Sequence, residues 1–587
     1  MKILKETPTT NTIPQRRGDF RTLIDALEYA ATGDTGLNFY SRDCRLDSVL
    51  TYADLQKEAA IMARKLLGLG LLPGSRFALC AETDPDFVRF FFACHYAGLV
   101  PVPLSTAIHM GGKDAFIKKL RGYLAASGAT AAMASESLYP LLKEAALGLD
   151  LVFSGTPAAF DLLPVADLPL CAPSPDDHAY IQFTSGSTRF PRGVIITHKA
   201  VMANIAGITQ HGLHVDPQDR CVSWLPFYHD MGLVGFLLSP MASQLTVDYL
   251  KTQNFIMRPG LWLTLMTRNK GTISYSPVFG YALCVQRLKA SECSSFDLTS
   301  WRVAGVGAEM IRPDILNWFA DKFSSCGFKR ESFVASYGMA ECALAVSFAP
   351  LGRGLDTDRI ENEIFMERGI AISSHNGTRA KEFVMCGFPL PGHEIEIRDQ
   401  QGRALPERTC GILHVRGPSI MSGYLGNLDE TNKVLDRDGW LNTGDLAYMA
   451  DGQIVITGRQ KDLIIVNGKN IWPQDLELLA EEMPGVRPQD AVAFSVPGPL
   501  GEEVVLLVQC RILEKQKQAS SIRKLASRIY EEFGVHCTVK CVPPRSLPKT
   551  SSGKLSRSQA RERYLRSLHE KRPLIEGTHS QESCLVT

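Results

Sequence analysis

The chain has 587 residues, of which 45% are hydrophobic and 21% charged, and its formal net charge is +1. This length exceeds what one hydrophobic core supports, so we expect at least two domains. The near-zero net charge gives no electrostatic reason to expect a nucleic-acid partner.

The fifteen cysteines include no CxxC pair, which argues against a zinc site and favours free thiols in a reducing compartment. The first residues carry no apolar segment typical of a secretory signal, and no apolar run approaches the ~20 residues that cross a bilayer. The last four residues, from Cys584 to Thr587, match a prenylation pattern only formally, because no polybasic segment accompanies them. We therefore expect a cytoplasmic protein without a membrane span. The sequence does not predict its oligomeric state.

The first half of the chain alternates strand-like apolar runs with helical patterns, which predicts α/β layering. Residues 51–67 carry apolar side chains at three- and four-residue steps and predict a helix. A buried strand at 76–80 and a second helix at 86–97 follow, and the proline-containing run 100–103 is expected to end that helix. A second alternating region covers about 179–348.

Short apolar runs with Gly and Pro between them predict a small β-rich subdomain at about 385–415. Beyond the charged segment 458–462, short apolar runs alternate with helical patterns at 474–482 and 522–533. These features predict a small α+β domain.

The expected fold class is therefore α/β with two domains. The large N-terminal domain, residues 1–460, would comprise two stacked α/β subdomains and the β-rich subdomain. A small, mobile C-terminal α+β domain would span residues 461–587, with a frayed tail after about residue 568.

A loop of small hydroxyl residues lies between two apolar runs. It contains Thr184, Ser185, Gly186, Ser187 and Thr188, and Arg189 and Arg192 follow. Its backbone N–H groups and hydroxyls could hold phosphate oxygens, and the arginines add positive charge. It is not a Walker A loop, because the GxxxxGK pattern is absent and a strand-like run follows. A Ser/Thr-rich hairpin turn is the structural alternative.

Six further motifs follow in chain order. They are Trp224 to Gly232 with His229, Gly305 to Glu309, Ser336 to Glu341, Thr443 to Leu446 with Asp445, Gly458-Arg459, and Pro548 to Leu555 with Lys554. Any one of them alone could be a surface turn, a structural histidine or a solvated charge. Their combined order argues against that interpretation for the whole set.

Together these motifs resemble the adenylate-forming superfamily, which includes acyl-CoA synthetases, luciferases and the adenylation domains of peptide synthetases. The resemblance implies ATP as substrate and Mg²⁺ as cofactor. It implies a nucleotide site formed by Thr184, Ser185, Gly186, Ser187, Thr188, Arg192, Gly307, Ala308, Glu309, Ser336, Tyr337, Gly338, Met339, Asp445 and Arg459. Glu341 and Thr184 would bind the metal, Lys554 and His229 would be catalytic, and Lys461 would be the hinge. An acyl pocket would involve Asp230, Pro277, Phe279 and Tyr281.

This chemistry explains the residue types. A carboxylate resists nucleophiles, but its oxygen can attack the α-phosphate of ATP, form a mixed anhydride and expel pyrophosphate. The transition state gathers negative charge on phosphate oxygens, so positioning and cations matter more than proton transfer. We expect no general base, because the nucleophile is already ionised.

Several details resemble the fatty acyl-AMP ligase branch. They are Arg189 and Arg192 in the phosphate loop, Tyr228 to Gly232, and Asn470 to Glu477 after the hinge. The charged stretch 351–381 resembles that branch's insertion, with a solvated surface loop as the alternative. The run Pro277 to Tyr281 departs from the branch pattern. The sequence therefore does not define the details of the acyl pocket.

The implied partners are a fatty acid and an acyl carrier protein, or a carrier domain of a polyketide or peptide synthase. The nearest alternative is a long-chain acyl-CoA synthetase, followed by an amino-acid adenylation enzyme. An inactive nucleotide-binding regulatory protein is the alternative of another class. A hydrolase is disfavoured by the absence of a GxSxG motif.

Overall fold

In a computed structural model, the chain is described over residues 4–107, 112–184, 192–374, 380–466, 469–498, 501–512, 514–550 and 554–570. It divides into two compact units, residues 1–461 and 462–587. Helices and sheets alternate through the large unit, which confirms the α/β class predicted from the sequence. None of the helices in the described residues is both long and apolar enough to cross a membrane.

A nine-stranded sheet forms the centre of the large unit. Its inner strands run parallel, and the antiparallel pairs lie at its two ends. In sheet order the strands are Phe388–Pro389, Ala345–Phe348, Phe333–Gly338, Val303–Val306, Ile273–Ser276, Arg220–Ser223, Thr246–Leu250, Gly36–Tyr40 and Leu46–Thr51. Four of the inner strands are buried at every residue, as expected of a sheet covered on both faces.

A second sheet of four parallel strands contains Val100–Leu104, Arg76–Cys80, Ala131–Met133 and Phe153–Gly155, in that order. The helix predicted at 86–97 ends at Tyr96, before residues 100–103, as expected. These residues also belong to a buried strand, which the sequence did not predict. Its two prolines, Pro101 and Pro103, lack N–H donors and alternate along the strand. A strand at the sheet edge tolerates this, because one side of its backbone has no neighbouring strand to bond.

The large unit also contains a three-stranded sheet and a further four-stranded sheet. Three strands, Gly423–Tyr424, Arg192–Thr197 and His178–Thr184, form an antiparallel sheet. Four others, Glu394–Arg398, Gly411–Arg416, Leu441–Ala450 and Gln453–Arg459, form the β-rich subdomain. The strand-like pattern at 385–415 thus marks half of a sheet that the later strands complete.

Residues 351–374 and 380–381 contain regular structure and are not simply a solvated loop. The strands Thr357–Glu361 and Ala380–Val384 pair antiparallel, and the helix Asn362–Arg368 lies between them in sequence. Phe365 and Phe383 pack against Tyr448 of the β-rich subdomain, with ring centroids 6.0 and 6.2 Å away. The Tyr448 hydroxyl also donates to Asp358 at 2.7 Å.

The large unit's helices cover both faces of its sheets, and their starts show ordinary capping. Thr51 caps the helix Tyr52–Leu67, and Asp84 caps Pro85–Tyr96, each by accepting a backbone N–H in the first turn. The remaining helices are Leu23–Ala30, Gly112–Ser127, Tyr139–Ala145, Pro157–Asp161, His198–Ala206, Asp230–Leu233, Ser239–Met241, Thr252–Met257, Gly260–Asn269, Val278–Arg287, Ala290–Cys293, Pro313–Phe323 and Leu428–Val434.

The small unit has its own core. Its strands are Ile464–Val466 and Lys469–Ile471, which pair with each other, and Ala491–Gly498, Gly501–Gln509 and Cys537–Val542, which form a second sheet. Its helices are Pro473–Glu481, Lys515–Phe533 and Arg557–Glu570. Val492, Phe494, Leu547 and Ala560 belong to one buried cluster. The helix Arg557–Glu570 was not predicted, and residues 571–587 lie outside the described part of the chain.

Candidate active site

The sequence motifs of the large unit follow neighbouring parallel strands. Ile273–Ser276 pairs with Val303–Val306, which in turn pairs with Phe333–Gly338. The carboxyl ends of parallel strands meet at one sheet edge, and ligands of open α/β sheets bind there. The segments beginning at Pro277 and Gly307, together with the end of Phe333–Gly338, therefore lie side by side.

Close backbone approach explains why glycines occur at this edge. A Cβ added at Gly307 would lie 2.8 Å from the carbonyl oxygen of Ser336. At Gly338 an added Cβ would lie 1.9 Å from the carbonyl oxygen of Leu344. Ala308, which follows Gly307, has a φ of 69°, in the left-handed region that L-residues seldom adopt. The edge is therefore built from tightly apposed backbone. The uncommon conformation of Ala308 lies within Gly305 to Glu309, which the family resemblance predicts to line the adenine and which is called the adenine segment below.

Tyr337 and Arg459 hold Asp445 from two sides. The Tyr337 hydroxyl donates to Oδ2 of Asp445 at 2.7 Å, and the Arg459 Nε lies 3.0 Å from Oδ1. Strand pairing sets Asp445 opposite Arg459. Burial and the adjoining carboxylate raise the pKa of Tyr337, so its hydroxyl remains protonated and able to donate. An ionised carboxylate has about four lone-pair sites, so Asp445 retains acceptor capacity for further hydroxyls.

Glu341 is buried, with 9% of its surface exposed. Its Oε1 accepts a hydrogen bond from the Tyr424 hydroxyl at 2.8 Å, and its backbone carbonyl accepts from the Met421 N–H at 2.8 Å. Burial raises the pKa of Glu341, because the charged form loses hydration, while the Tyr424 hydrogen bond opposes that rise. The carboxylate is thus oriented by hydrogen bonds and only partly compensated for its burial.

The phosphate loop begins and ends on one antiparallel pair. Thr184 and Arg192 face each other in the register of the strands that flank it. Arg192 forms an ion pair with Glu430, and its guanidinium carbon lies 5.2 Å from the ring centre of Tyr424. Arg192 and Glu341 therefore contact the same tyrosine. The predicted residues Ser185, Gly186, Ser187 and Thr188 lie outside the described residues.

His229 and Asp230 form a local pair. Nδ1 of His229 lies 2.6 Å from Oδ1 of Asp230, which also accepts the Met231 N–H at 2.7 Å. The Gln182 side-chain amide donates to the carbonyl oxygen of Tyr228 at 2.6 Å, which joins this segment to the strand His178–Thr184. The histidine motif is thereby fixed next to the strand that leads into the phosphate loop.

The segment beginning at Pro277 connects to the adenine segment through Glu309. The Glu309 carboxylate accepts the Phe279 N–H at 2.9 Å and so caps the start of the helix Val278–Arg287. The half-buried Phe279 lies edge-on to Trp224, with ring centroids 5.6 Å apart. Glu309, predicted from the sequence only as a nucleotide ligand, therefore also links the two segments.

Tyr281 has a different environment from Phe279. Its side chain has no exposed surface, and its hydroxyl donates to the Gly305 carbonyl at 2.9 Å. Its ring packs against Phe319 and Phe333, with centroids 5.0 and 5.5 Å away. Tyr281 is therefore a core residue whose ring packs beneath the segment that begins at Pro277.

In the small unit, Lys554 lies at the end of a short closed loop. The Lys554 N–H donates to the Thr550 hydroxyl at 3.2 Å, and the Thr550 N–H donates to the Lys554 carbonyl at 2.7 Å. The Ser556 N–H donates to the Pro548 carbonyl at 2.9 Å and closes the loop at its base. Lys461 lies in the 3₁₀ turn Gln460–Asp462, with its side chain exposed.

The family model for AMP-binding enzymes matches residues 34–425 of this chain. The chain belongs to the AMP-binding enzyme family. The match covers the phosphate loop, His229, Glu341 and Tyr424, and it ends before Asp445.

Relatives of this AMP-binding enzyme extend the match over nearly the whole chain. A Caulobacter vibrioides protein named "Putative acyl-CoA synthetase" is 47% identical over 95% of this chain and 98% of its own length. The medium-chain-fatty-acid–acyl-carrier-protein ligase JamA of Moorena producens is 31% identical over 93% of this chain and 95% of its own length. A solved structure from a study of fatty acyl-adenylate ligases of E. coli and L. pneumophila is 46% identical, with a TM-score of 0.91, and covers 95% of this chain and 100% of that chain.

Two residues of this AMP-binding enzyme's site were missed from the sequence. Tyr424 lies in the two-residue strand Gly423–Tyr424, and Glu430 lies in the short helix Leu428–Val434. Tyr424 reaches the site because Gly423–Tyr424 pairs with the strand that follows the phosphate loop. A two-residue strand has no periodicity to detect, so only the charge of Glu430 opposite a predicted phosphate-binding arginine could have suggested the contact.

Proposed function

We propose that the enzyme activates a fatty acid with ATP, releases pyrophosphate and passes the acyl group to the phosphopantetheine thiol of an acyl carrier protein or carrier domain. The observation that carries the proposal is two contact groups within the large unit. Tyr337 and Arg459 hold Asp445, and Tyr424 contacts both Glu341 and Arg192. The similarity to fatty acyl-adenylate ligases and to a carrier-protein ligase supports the choice of substrate and acceptor.

In the proposed complex, Asp445 accepts the ribose hydroxyls while Tyr337 and Arg459 hold its carboxylate in place. The ring of Tyr337 offers a face for the adenine, beside the segment from Gly307 to Glu309. Thr184 and the loop that follows it hold the phosphates. Arg192 would exchange its contact with Glu430 for a phosphate oxygen, since guanidinium groups bind both acceptors well.

Glu341 fits a magnesium site by its donor chemistry. It is a buried carboxylate that one hydroxyl orients, and Mg²⁺ is commonly held in proteins by one or two carboxylates together with substrate phosphates. Among the described residues, no group of three or more His, Cys, Asp or Glu side chains is placed to hold a metal. Phosphate oxygens of the substrate would complete the coordination, as is common for Mg²⁺. Bound there with Thr184 nearby, the ion would neutralise charge on the phosphates.

The reaction requires no proton transfer from the acid. The fatty acid carboxylate oxygen forms a bond to the α-phosphorus as the bond to the pyrophosphate oxygen breaks. Lys554, an ammonium donor on the small unit, would stabilise the charge that develops on the reacting oxygens. We propose His229 as the second catalytic residue, with its imidazole held by Asp230.

We also propose residues 1–460 and 461–587 as functional domains, with Lys461 as hinge and 351–381 as an insertion that disfavours CoA as acceptor. The cysteines of the described residues are unpaired thiols, which supports a cytoplasmic site of action. An acyl-CoA synthetase remains the second candidate, because the Caulobacter vibrioides relative carries that name.

The deciding experiment measures ATP–pyrophosphate exchange with fatty acids of graded chain length, and in parallel offers CoA or a phosphopantetheinylated carrier protein as acceptor. We expect exchange that depends on the fatty acid, and acyl transfer to the carrier at least tenfold faster than to CoA. Exchange with faster transfer to CoA would identify the synthetase instead. A folded enzyme that binds ATP without exchange would indicate a regulatory protein.

A further inference from the structure

Arg557 begins the helix that follows the Lys554 loop. The Ser556 hydroxyl lies 3.5 Å from the Gln559 N–H in the first turn, and the Ser556 carbonyl accepts the Ala560 N–H at 3.0 Å. The same Ser556 closes the base of the Lys554 loop through its N–H. Only Leu555 and Ser556 separate Lys554 from Arg557, so a displacement of Arg557 would be passed on to the lysine.

The Arg557 guanidinium binds two carboxylates of the small unit. Its Nε and one terminal nitrogen donate to the two oxygens of Glu477 at 2.9 and 2.7 Å. Its other terminal nitrogen donates to Asp462 at 3.3 Å. The side chains of Arg557 and Asp462 are 21% and 20% exposed. Burial alone would disfavour the charged guanidinium, but the two carboxylates raise the pKa of Arg557, so it remains charged.

Glu477 and Asp462, the two partners of Arg557, connect it to different parts of the small unit. Glu477 lies on the helix Pro473–Glu481, and its carboxylate also accepts the Ala493 N–H at 3.0 Å, which anchors it to the small unit's sheet. Asp462 is the first residue of the small unit and directly follows Lys461. The guanidinium therefore joins the unit's first residue, its sheet anchor and the lysine loop.

We propose that Arg557 is a positioning residue that fixes the Lys554 loop relative to Asp462, so that the catalytic lysine and the hinge end of the small unit move as one rigid body. This inference rests on the proposed role of Lys554. A planar guanidinium suits the task, because it binds Glu477 with two parallel hydrogen bonds and still offers a donor to Asp462. A lysine at this position could not reproduce that geometry.

The test is a double-mutant cycle measured by ATP–pyrophosphate exchange. We expect Asp462→Asn to lower kcat about tenfold and Arg557→Lys more, because misplacing a catalytic group by about 1 Å can cost up to about a hundredfold. The KM for ATP should stay within twofold, since the large unit's nucleotide contacts are unchanged. Asp462→Glu, which keeps the carboxylate, should recover most of the rate.

Combining Asp462→Asn with Lys554→Ala distinguishes a role in positioning the lysine from a merely structural role. If Asp462 acts through the lysine, it should have no further effect on the residual exchange of Lys554→Ala, whereas independent effects would multiply. Arg528→Gln, which breaks the exposed pair between Arg528 and Glu482, is the matched control and should leave both rate and melting temperature unchanged.

Multiplicative effects, or wild-type exchange in folded Asp462→Asn, would overturn the positioning role while leaving Lys554 as the catalytic lysine. If Lys554→Ala itself retained wild-type exchange, the proposed role of the lysine would fail first and this inference with it. If Arg557→Lys does not fold, Asp462→Asn alone carries the test, because it leaves the Glu477 pair in place.

Discussion

The acidic residues of the large unit and the lysine loop of the small unit are held in different ways. Asp445 and Glu341 are buried and fixed by tertiary hydrogen bonds from Tyr337 and Tyr424, residues distant in sequence. Lys554 is half-buried on a loop closed by hydrogen bonds between near neighbours. In the proposed mechanism the large unit would therefore supply binding groups fixed by tertiary contacts, whereas the small unit would supply the Lys554 ammonium from a locally closed loop.

This difference predicts that substitutions in the two units affect different kinetic parameters. Groups that contact the nucleotide before and during reaction affect the KM for ATP. A group that matters only as charge develops affects kcat. Changes in the two regions should therefore separate into these two classes, and the following predictions run from the largest expected effect to the smallest.

Lys554→Ala should show the largest effect. Removing one donor that stabilises developing charge typically costs about 3–4 kcal/mol in the transition state, or roughly two to three orders of magnitude in kcat. ATP binding, followed by equilibrium dialysis, should stay near the wild-type level, because the nucleotide contacts lie in the large unit. Exchange within threefold of wild type would contradict the assignment of Lys554.

Lys461→Pro tests whether the backbone before the small unit must change conformation. Proline fixes φ near −65°, a value compatible with the 3₁₀ turn Gln460–Asp462, and so restricts the backbone rotation that a hinge needs. We expect pyrophosphate exchange to persist while acylation of a carrier protein falls by about tenfold or more, because hinge residues must absorb backbone rotation.

Proline also disfavours helical conformation at the preceding residue, so Lys461→Pro must be checked by thermal melting against Lys461→Ala. A folded proline variant that loads its carrier at the wild-type rate would place the hinge elsewhere.

The sequence named these residues as candidates but did not show which residues surround them. Asp445, Glu341 and Lys554 occur in contiguous motifs, and a contiguous motif is visible without a fold. Tyr424 and Glu430 reach the site only through a two-residue strand pairing, and Arg557 reaches Glu477 and Asp462 only through tertiary packing. The strand Val100–Leu104 was missed because its two prolines suggest a break in regular secondary structure. A strand at the edge of a sheet can contain them.

Glu341→Gln should raise the Mg²⁺ concentration required for half-maximal exchange several-fold, with a smaller change in the KM for ATP measured at saturating metal. The neutral amide keeps the size of the side chain but removes the charge that favours a divalent cation. An unchanged Mg²⁺ titration would show that the carboxylate has another role.

Burial raises the pKa of Glu341, so its charged form destabilises the fold once the pH exceeds the ordinary glutamate range. Glu341→Gln should therefore melt at a higher temperature than wild type at neutral pH, and the difference should disappear at acidic pH.

Tyr424→Phe should have the smallest effect and sharpen the comparison, because it removes one hydroxyl and keeps the ring. The hydrogen bond to Glu341 favours the ionised carboxylate, so its loss should raise the pKa of Glu341 further and shift the acidic limb of exchange to higher pH. At neutral pH we expect a rise of about two- to fivefold in the Mg²⁺ requirement, in line with a hydrogen bond worth about 0.5–1 kcal/mol. The ring still faces Arg192, so the KM for ATP should change little.

Tyr448→Phe, which loses a comparable hydroxyl bond to Asp358 outside the site, is the matched control and should not move the pH profile. If both variants shift the profile equally, the Tyr424 hydroxyl acts through overall stability and not through the position of Glu341.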